Sequence, residues 1–181
     1  SSLSREYGFD RSADYPDPRI TRKDDVLLAR VDEESIYADS VDSLTSATSV
    51  IFASKHTSER GEPCLTAHCT GNVLNEAPYG GKPKSLALAD PNRVKSALLS
   101  LAETREELGL PYLVSLEATH HGPTELRVPC LFVEIGSSAK QWGDPAAAKA
   151  VARAIWAAAT HPSNGTPAVG FGGGHYSWKH T

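Results

Sequence analysis

The sequence predicts an α/β fold in which a mixed or mostly parallel sheet is flanked by helices. Three observations carry that expectation. Apolar runs rich in β-formers recur along the chain, each cut short by polar residues or glycine. Two segments open on Asp-Pro and continue with apolar residues at helical spacing. The two kinds of segment alternate, as strands and their covering helices do in a layered α/β domain. At 181 residues the chain fits a single domain, and one of that size buries roughly 70% of the surface its unfolded chain exposes.

Residues 1–48 carry the least pattern. They are rich in Ser and Asp, with an irregular stretch at Tyr15-Pro16-Asp17-Pro18 and a weak strand near Val26 to Val31. From residue 49 the pattern sharpens, and "SVIFASKH" (49–56) and "CLTAHCTGN" (64–72) read as buried strands with polar ends. Asp90 then supplies an N-cap oxygen and Pro91 a first helical residue that needs no donor. Val94, Ala97, Leu98, Leu101 and Leu108 follow one face of that helix, and Gly109 ends it. "PYLVSLEATHH" (111–121) and "PCLFVEIGSS" (129–138) are the next strands. Asp144-Pro145 opens a second helix with Ala148, Val151, Ala152, Ile155 and Ala159 on one side, and "PAVGFGGGHY" (167–176) is a fifth strand candidate.

A formal charge of −4 gives no global field for polyanions, so any contact with nucleic acid has to be local. No apolar run approaches the roughly 18 residues that would cross a bilayer, and no signal peptide opens the chain. Three cysteines are an odd number, expected as reduced thiols. A cytoplasmic monomer without membrane association is the corresponding expectation. The absent initiator Met suggests a trimmed or partial chain.

The polar motifs sit at strand ends. If most strands run parallel, Lys55, His56, His68, His120, His121, Ser137 and His175 share one rim, where ligands bind in open α/β sheets. Strand alternation puts Glu117, Thr119 and His121 on one side and His120 on the other, unless the chain turns before Gly122-Pro123. An exposed turn is the other reading of that pair. Gly172-Gly173-Gly174 lets backbone amides approach a ligand as an oxyanion or phosphate nest, with His175 at its lip; a flexible turn is the alternative. Glu134 shares a strand face with Cys130 and Phe132. A buried carboxylate there is hydrogen-bonded, paired, metal-bound or protonated, because isolated ionisation is costly.

Alternation puts Cys64 and Cys69 on opposite faces, so these thiols and Cys130 read as small core residues rather than half a zinc site. No GxSxG, GxGxxG or GxxxxGK pattern is present. Several histidines with two carboxylates suit metal-assisted or general acid–base hydrolysis instead.

In order, "SKHTS", "LTAHCTGN", "GGKP", "LEATHHGPT", "LFVEIGSS", "QW" and "GFGGGHY" resemble the signature blocks of the archaeal and plant type D-aminoacyl-tRNA deacylases, over roughly residues 49–176. The resemblance implies hydrolysis of the ester joining a D-amino acid to the tRNA 3′ end, a zinc cofactor, and a fold related to phosphorylase and peptidyl-tRNA hydrolase architectures. With it, the catalytic candidates are His120, His121, His175, Glu117, Glu134, Lys55 and His56. His68, Thr70, Gly71, Asn72, Thr119, Gly172, Gly173, Gly174 and Tyr176 are the substrate-binding candidates, and His120, His121 and His175 the metal ligands. Lys55, Lys82, Lys84 and Arg93 are candidate phosphate contacts, with Tyr79 or Tyr176 stacking on the terminal adenine. Where the family has "APRH" or "APRF", this chain has Ser177-Trp178-Lys179-His180, and both family ends look missing. A metal-dependent amidohydrolase, a nucleoside phosphorylase-like enzyme and a non-catalytic RNA 3′-end binding module are the rival readings.

Overall fold

The computed structural model describes Ser1 to Thr181. Helix α1 (Ser2–Tyr7) starts on a Ser1 cap, and β1 (Asp10–Arg11), β2 (Ile20–Lys23) and β3 (Val26–Ala29) form a small antiparallel sheet. β4 (Val50–Lys55) and β5 (Cys64–His68) follow, then the two-residue ribbon β6 (Gly71–Asn72) and β7 (Ser85–Leu86). After α2 (Pro91–Glu107) come β8 (Leu113–Leu116), β9 (Cys130–Gly136), the short α3 (Ala139–Trp142) and α4 (Pro145–Thr160).

Both long helices begin where the Asp-Pro pairs place them. Asp90 Oδ1 accepts from Arg93 N at 3.1 Å, and Asp144 Oδ1 from Ala146 N at 2.8 Å. α2 ends in a Schellman arrangement: Gly109 takes φ +60°, Gly109 N–H donates to Glu106 O and Leu110 N–H to Arg105 O. The last carbonyls of α4 are satisfied from α2, since Arg93 Nη1 donates to Ala158 O and Ala159 O. The buried stripe of α4 keeps Val151, Ala152 and Ile155 but is centred on Ala147, Ala150, Ala154 and Ala158 rather than on Ala148 and Ala159. These small side chains let the helix axis approach its neighbours closely.

The main sheet has the order β4-β9-β5-β8. β4 is parallel to β9 and β8 to β5, but β5 runs antiparallel to β9. The α/β class with a mixed sheet is as expected. The single rim of strand ends is not, because Lys55 lies beside Ile135 at one end of the sheet while His68 pairs with Phe132 toward the other.

Register makes the sheet two-faced. Leu65, Ala67, Leu131, Val133 and Ile135 point to one side and join Val94, Ala97, Leu101, Ala150, Ala154 and Ala158 in the main core. Each buried Leu, Val or Ile side chain there contributes about 1.5–3 kcal/mol relative to exposure, and the alanines less. On the other face one row holds Phe52, Phe132 and His68, and the next holds Ser54, Glu134, Thr66 and Ser115. That face is polar, and it carries the site.

The expected strand at 167–171 does not form. Val169 and Phe171 are 81% and 90% exposed. The free edge of β8 is taken instead by the residues after the glycines: Ala118 N–H donates to His175 O and Ser177 N–H to Leu116 O, both at 2.8 Å. With that edge occupied, the "AVGF" run has no partner.

Candidate active site

Strand β8 stops at Leu116, and Glu117 makes only an isolated bridge to Tyr176. The chain then bends at once. His120 bridges to Thr70, and His121 adopts φ +43°. Loop 80–81 closes on this bend so tightly that a Cβ on Gly122 would sit 2.4 Å from Gly81 N, which only glycine avoids. The early turn overturns the alternation expected of a continuing strand. His120 Nε2 comes within 3.6 Å of Glu117 Oε2, and the His120 and His121 rings lie 4.4 Å apart.

Five imidazoles gather on the polar face. His68 is 4.3 Å from His120 and 4.9 Å from His121, His120 is 4.6 Å from His175, and His175 is 5.4 Å from His56, measured between ring centroids. In three of them Nδ1 meets a main-chain carbonyl: His68 with Cys69 O at 3.0 Å, His120 with Ala118 O at 2.8 Å, His121 with Gly122 O at 2.6 Å. A carbonyl only accepts, so each Nδ1 carries its proton and the neutral ring presents Nε2 as a lone pair. His68 Nε2 is buried without a hydrogen-bond partner. Burial, then repulsion from His68 and His121, pushes His120 down to about 3. Burial and His68 push His121 down to about 4. Burial also opposes charge on His68, but the neighbouring Glu134 carboxylate outweighs it and raises that histidine above its ordinary value.

Two buried carboxylates face these rings. Glu117 Oε1 is 3.3 Å from His56 Nδ1, and Oε2 is 3.0 Å from His175 Nε2. Neither oxygen is aligned for a hydrogen bond, though the side chain has no exposed surface. Glu134 Oε2 lies 3.6 Å from His56 Nδ1 and 3.8 Å from His68 Nε2. Burial weighs against charge on both. For Glu117 the His175, His68 and His56 rings outweigh it, and for Glu134 His56 and His68 do, so both carboxyls are held below their ordinary range.

Donor atoms within 4.8 Å of one another form three sets: His68, His120 and His121; His56, Glu117 and His175; and His68, Glu117 and Glu134. The expected trio of His120, His121 and His175 is thus divided between two sets. Three imidazoles, or two with a carboxylate, match zinc ligand chemistry, and the unpartnered His68 Nε2 and Glu117 oxygens are what a cation would satisfy.

The remaining sequence candidates lie as follows. Lys55 points to the other side of β4, its Nζ 5.1 Å from the Trp142 ring centroid. Thr70 Oγ1 donates to Pro123 O, Gly71 N–H to His121 O, and Asn72 Nδ2 to Gly80 O, so all three hold the histidine turn in place. Ser137 Oγ is used by Glu62 O. Thr119 is exposed. Gly172 and Gly173 stand in open space, and only Gly174 lines the cleft beside His175. Tyr176 Oη meets His56 Nε2 at 3.0 Å, a pairing that its position after His175 hinted at. Lys82 pairs with Glu125, and Arg93 is committed to α4.

An open cleft of ≈ 600 Å³ reaches this cluster at His56 and His175. A larger cavity of ≈ 820 Å³, between β3 and β4, has a mixed lining that includes no histidine, so chemistry and not size identifies the site.

Residues 44–181 match a family described as D-aminoacyl-tRNA deacylase. The D-aminoacyl-tRNA deacylase of Methanosarcina acetivorans is 45% identical over 159 residues, which cover 85% of this chain and 53% of that protein. The protein of the same name from Pyrococcus furiosus is 39% identical, covering 99% of this chain and 67% of that protein. A crystal structure titled a conserved protein of unknown function, AF0625, superposes with a TM-score of 0.86 at 33% identity, covering 97% of this chain and 63% of that one. The chain spans about half the length of the Methanosarcina relatives it matches.

Proposed function

The chain belongs to the D-aminoacyl-tRNA deacylase family, and from that premise we propose that it hydrolyses the ester between a D-amino acid and the tRNA 3′ end. The observation that carries this reading is Glu117, a carboxylate with no exposed surface whose two unpartnered oxygens face His56, His120 and His175.

In this reading Glu117 keeps the proton of His175 on Nε2 and leaves Nδ1 basic. The 3.0 Å separation already lies within hydrogen-bond reach, and such pairs align in the substrate complex. His175, 43% exposed at the cleft, takes a proton from water as that water adds to the ester carbonyl. It then delivers the proton to the departing 3′ oxygen of the tRNA. His56, held between Tyr176 Oη and the two glutamates, fixes their orientation.

His68, His120 and His121 would hold the zinc, each through Nε2, with the carbonyls on Nδ1 orienting the rings as outer-shell partners do. When bound there, zinc supplies a Lewis acid that polarises the ester and lowers the pKa of nearby water. The partner is the 3′ end of a D-aminoacyl-tRNA, met by a cytoplasmic monomer. Family membership does not favour the amidohydrolase, phosphorylase or binding-module alternatives. Release of D-amino acid from charged tRNA, compared with the same tRNA carrying the L-amino acid, tests the proposal.

A further inference from the structure

Tyr176 Oη is committed to His56, and its ring sits 5.4 Å from His175 on one side and 5.5 Å from the Trp178 ring on the other. The aromatic line therefore runs from the buried cluster out to Trp178, which is 52% exposed where the cleft opens. To the same cleft the loop after β4 contributes Arg60, exposed and in no ion pair, beside Glu59. A half-exposed indole and an unpaired guanidinium lining one cleft with His56 and His175 form a combination that single-stranded nucleic acid uses: a base stacks on the ring and a phosphate meets the cation. At ≈ 600 Å³ the cleft is also of ordinary size for a nucleotide-sized ligand.

The geometry points to this cleft as the pocket for the terminal adenosine of the tRNA, with the adenine stacked on Trp178 and its 5′ phosphate at Arg60. This assignment rests on the proposed reaction. Of the sequence candidates, Tyr79 sits on the β6–β7 loop and does not line this cleft, while Tyr176, its hydroxyl held by His56, packs against the indole. Stacking there carries the ester toward His175, three residues before Trp178 in the chain.

The test is steady-state hydrolysis of D-aminoacyl-tRNA by the unaltered chain, Trp178→Ala and Trp178→Phe, with calorimetric titration of adenosine 5′-monophosphate into each. Stacking predicts that Trp178→Ala raises KM about tenfold, the order of one base–aromatic stack, with kcat within about twofold. Nucleotide affinity falls in parallel, and Phe restores both. A loss of kcat without a change in KM overturns the assignment, as does equal nucleotide affinity in the unaltered and Ala proteins. If the unaltered chain binds the nucleotide through Trp178 but releases no D-amino acid, the pocket stands and the proposed reaction falls. Arg60→Gln should weaken adenosine 5′-monophosphate but not adenosine, and equal weakening of the two would remove the phosphate contact.

Discussion

His175 Nε2 lies 3.0 Å from Glu117 Oε2, which joins a histidine at the cleft to a carboxylate with no exposed surface. Two segments distant in sequence meet there because Ala118 N–H and Leu116 O are hydrogen-bonded to His175 and Ser177. The edge of β8 thus sets the dyad, and the chemistry follows from main-chain pairing.

Glu117→Gln keeps the volume and removes the charge. The amide cannot stabilise a protonated His175, so kcat for D-aminoacyl-tRNA is expected to fall about 100-fold or more, with the circular dichroism spectrum unchanged. An active, folded Glu117→Gln protein would dismiss Glu117 as the partner of the base.

Zinc is expected to bind the metal-free protein through His68, His120 and His121. Competition against a chromophoric chelator should show the His120→Ala/His121→Ala protein weaker than the unaltered chain by about 100-fold or more, since even loss of outer-shell partners costs 10- to 100-fold. The same affinity in both proteins would place the ion elsewhere.

His120 and His121 should make the metal-free protein less stable on acidification well before the carboxylates titrate. His120 and His121 are held at about 3 and about 4 when folded, below the ordinary 6.5. The unfolded chain therefore binds more protons below about pH 6.5, and the folded state loses stability as pH falls through that window. His68, raised in the fold, works in the opposite sense: its contribution is present below its unfolded value and is lost as pH rises through its folded one. The His120 and His121 contribution is read by comparison: between pH 7.5 and 5 the thermal midpoint should fall more in the unaltered chain than in His120→Gln/His121→Gln. The same pH dependence in both proteins would contradict it.

Gly136→Ala is expected to cost about 1–3 kcal/mol, the usual penalty of overpacking. The added Cβ would sit 2.6 Å from Cys64 Sγ and 2.9 Å from His56 Cδ2. Chemical denaturation reads the loss of stability, and activity should fall with it because His56 is displaced. An unchanged midpoint would show that the strand end yields.

Local chemistry was legible in the sequence, and long-range pairing was not. Asp90-Pro91 and Asp144-Pro145 announced both helices because a cap and a proline act within one turn. Parity along a strand placed His68 with Thr66, and Glu134 with Phe132, on one face. Strand direction depends on partners, and β5 running against β9 removed the common rim. The faces of His120 and His121 depended on where β8 ends, which loop 80–81 and the β8 edge decide from outside the segment. Thr70 and Asn72 looked like ligand contacts because polar residues follow a strand, yet their groups are spent on Pro123 and Gly80. Trp178 carried no signal, since nothing in "SWKH" shows that its ring stands beside the cleft.

The most direct test of the account is the initial rate of deacylation of one tRNA charged in turn with the D- and the L-form of the same amino acid, by the unaltered chain and by Glu117→Gln. Release from the D-charged tRNA, little from the L-charged one, and loss of the D-specific rate in the variant are the expected results. Equal release from both, or a D-specific rate that survives Glu117→Gln, would contradict it.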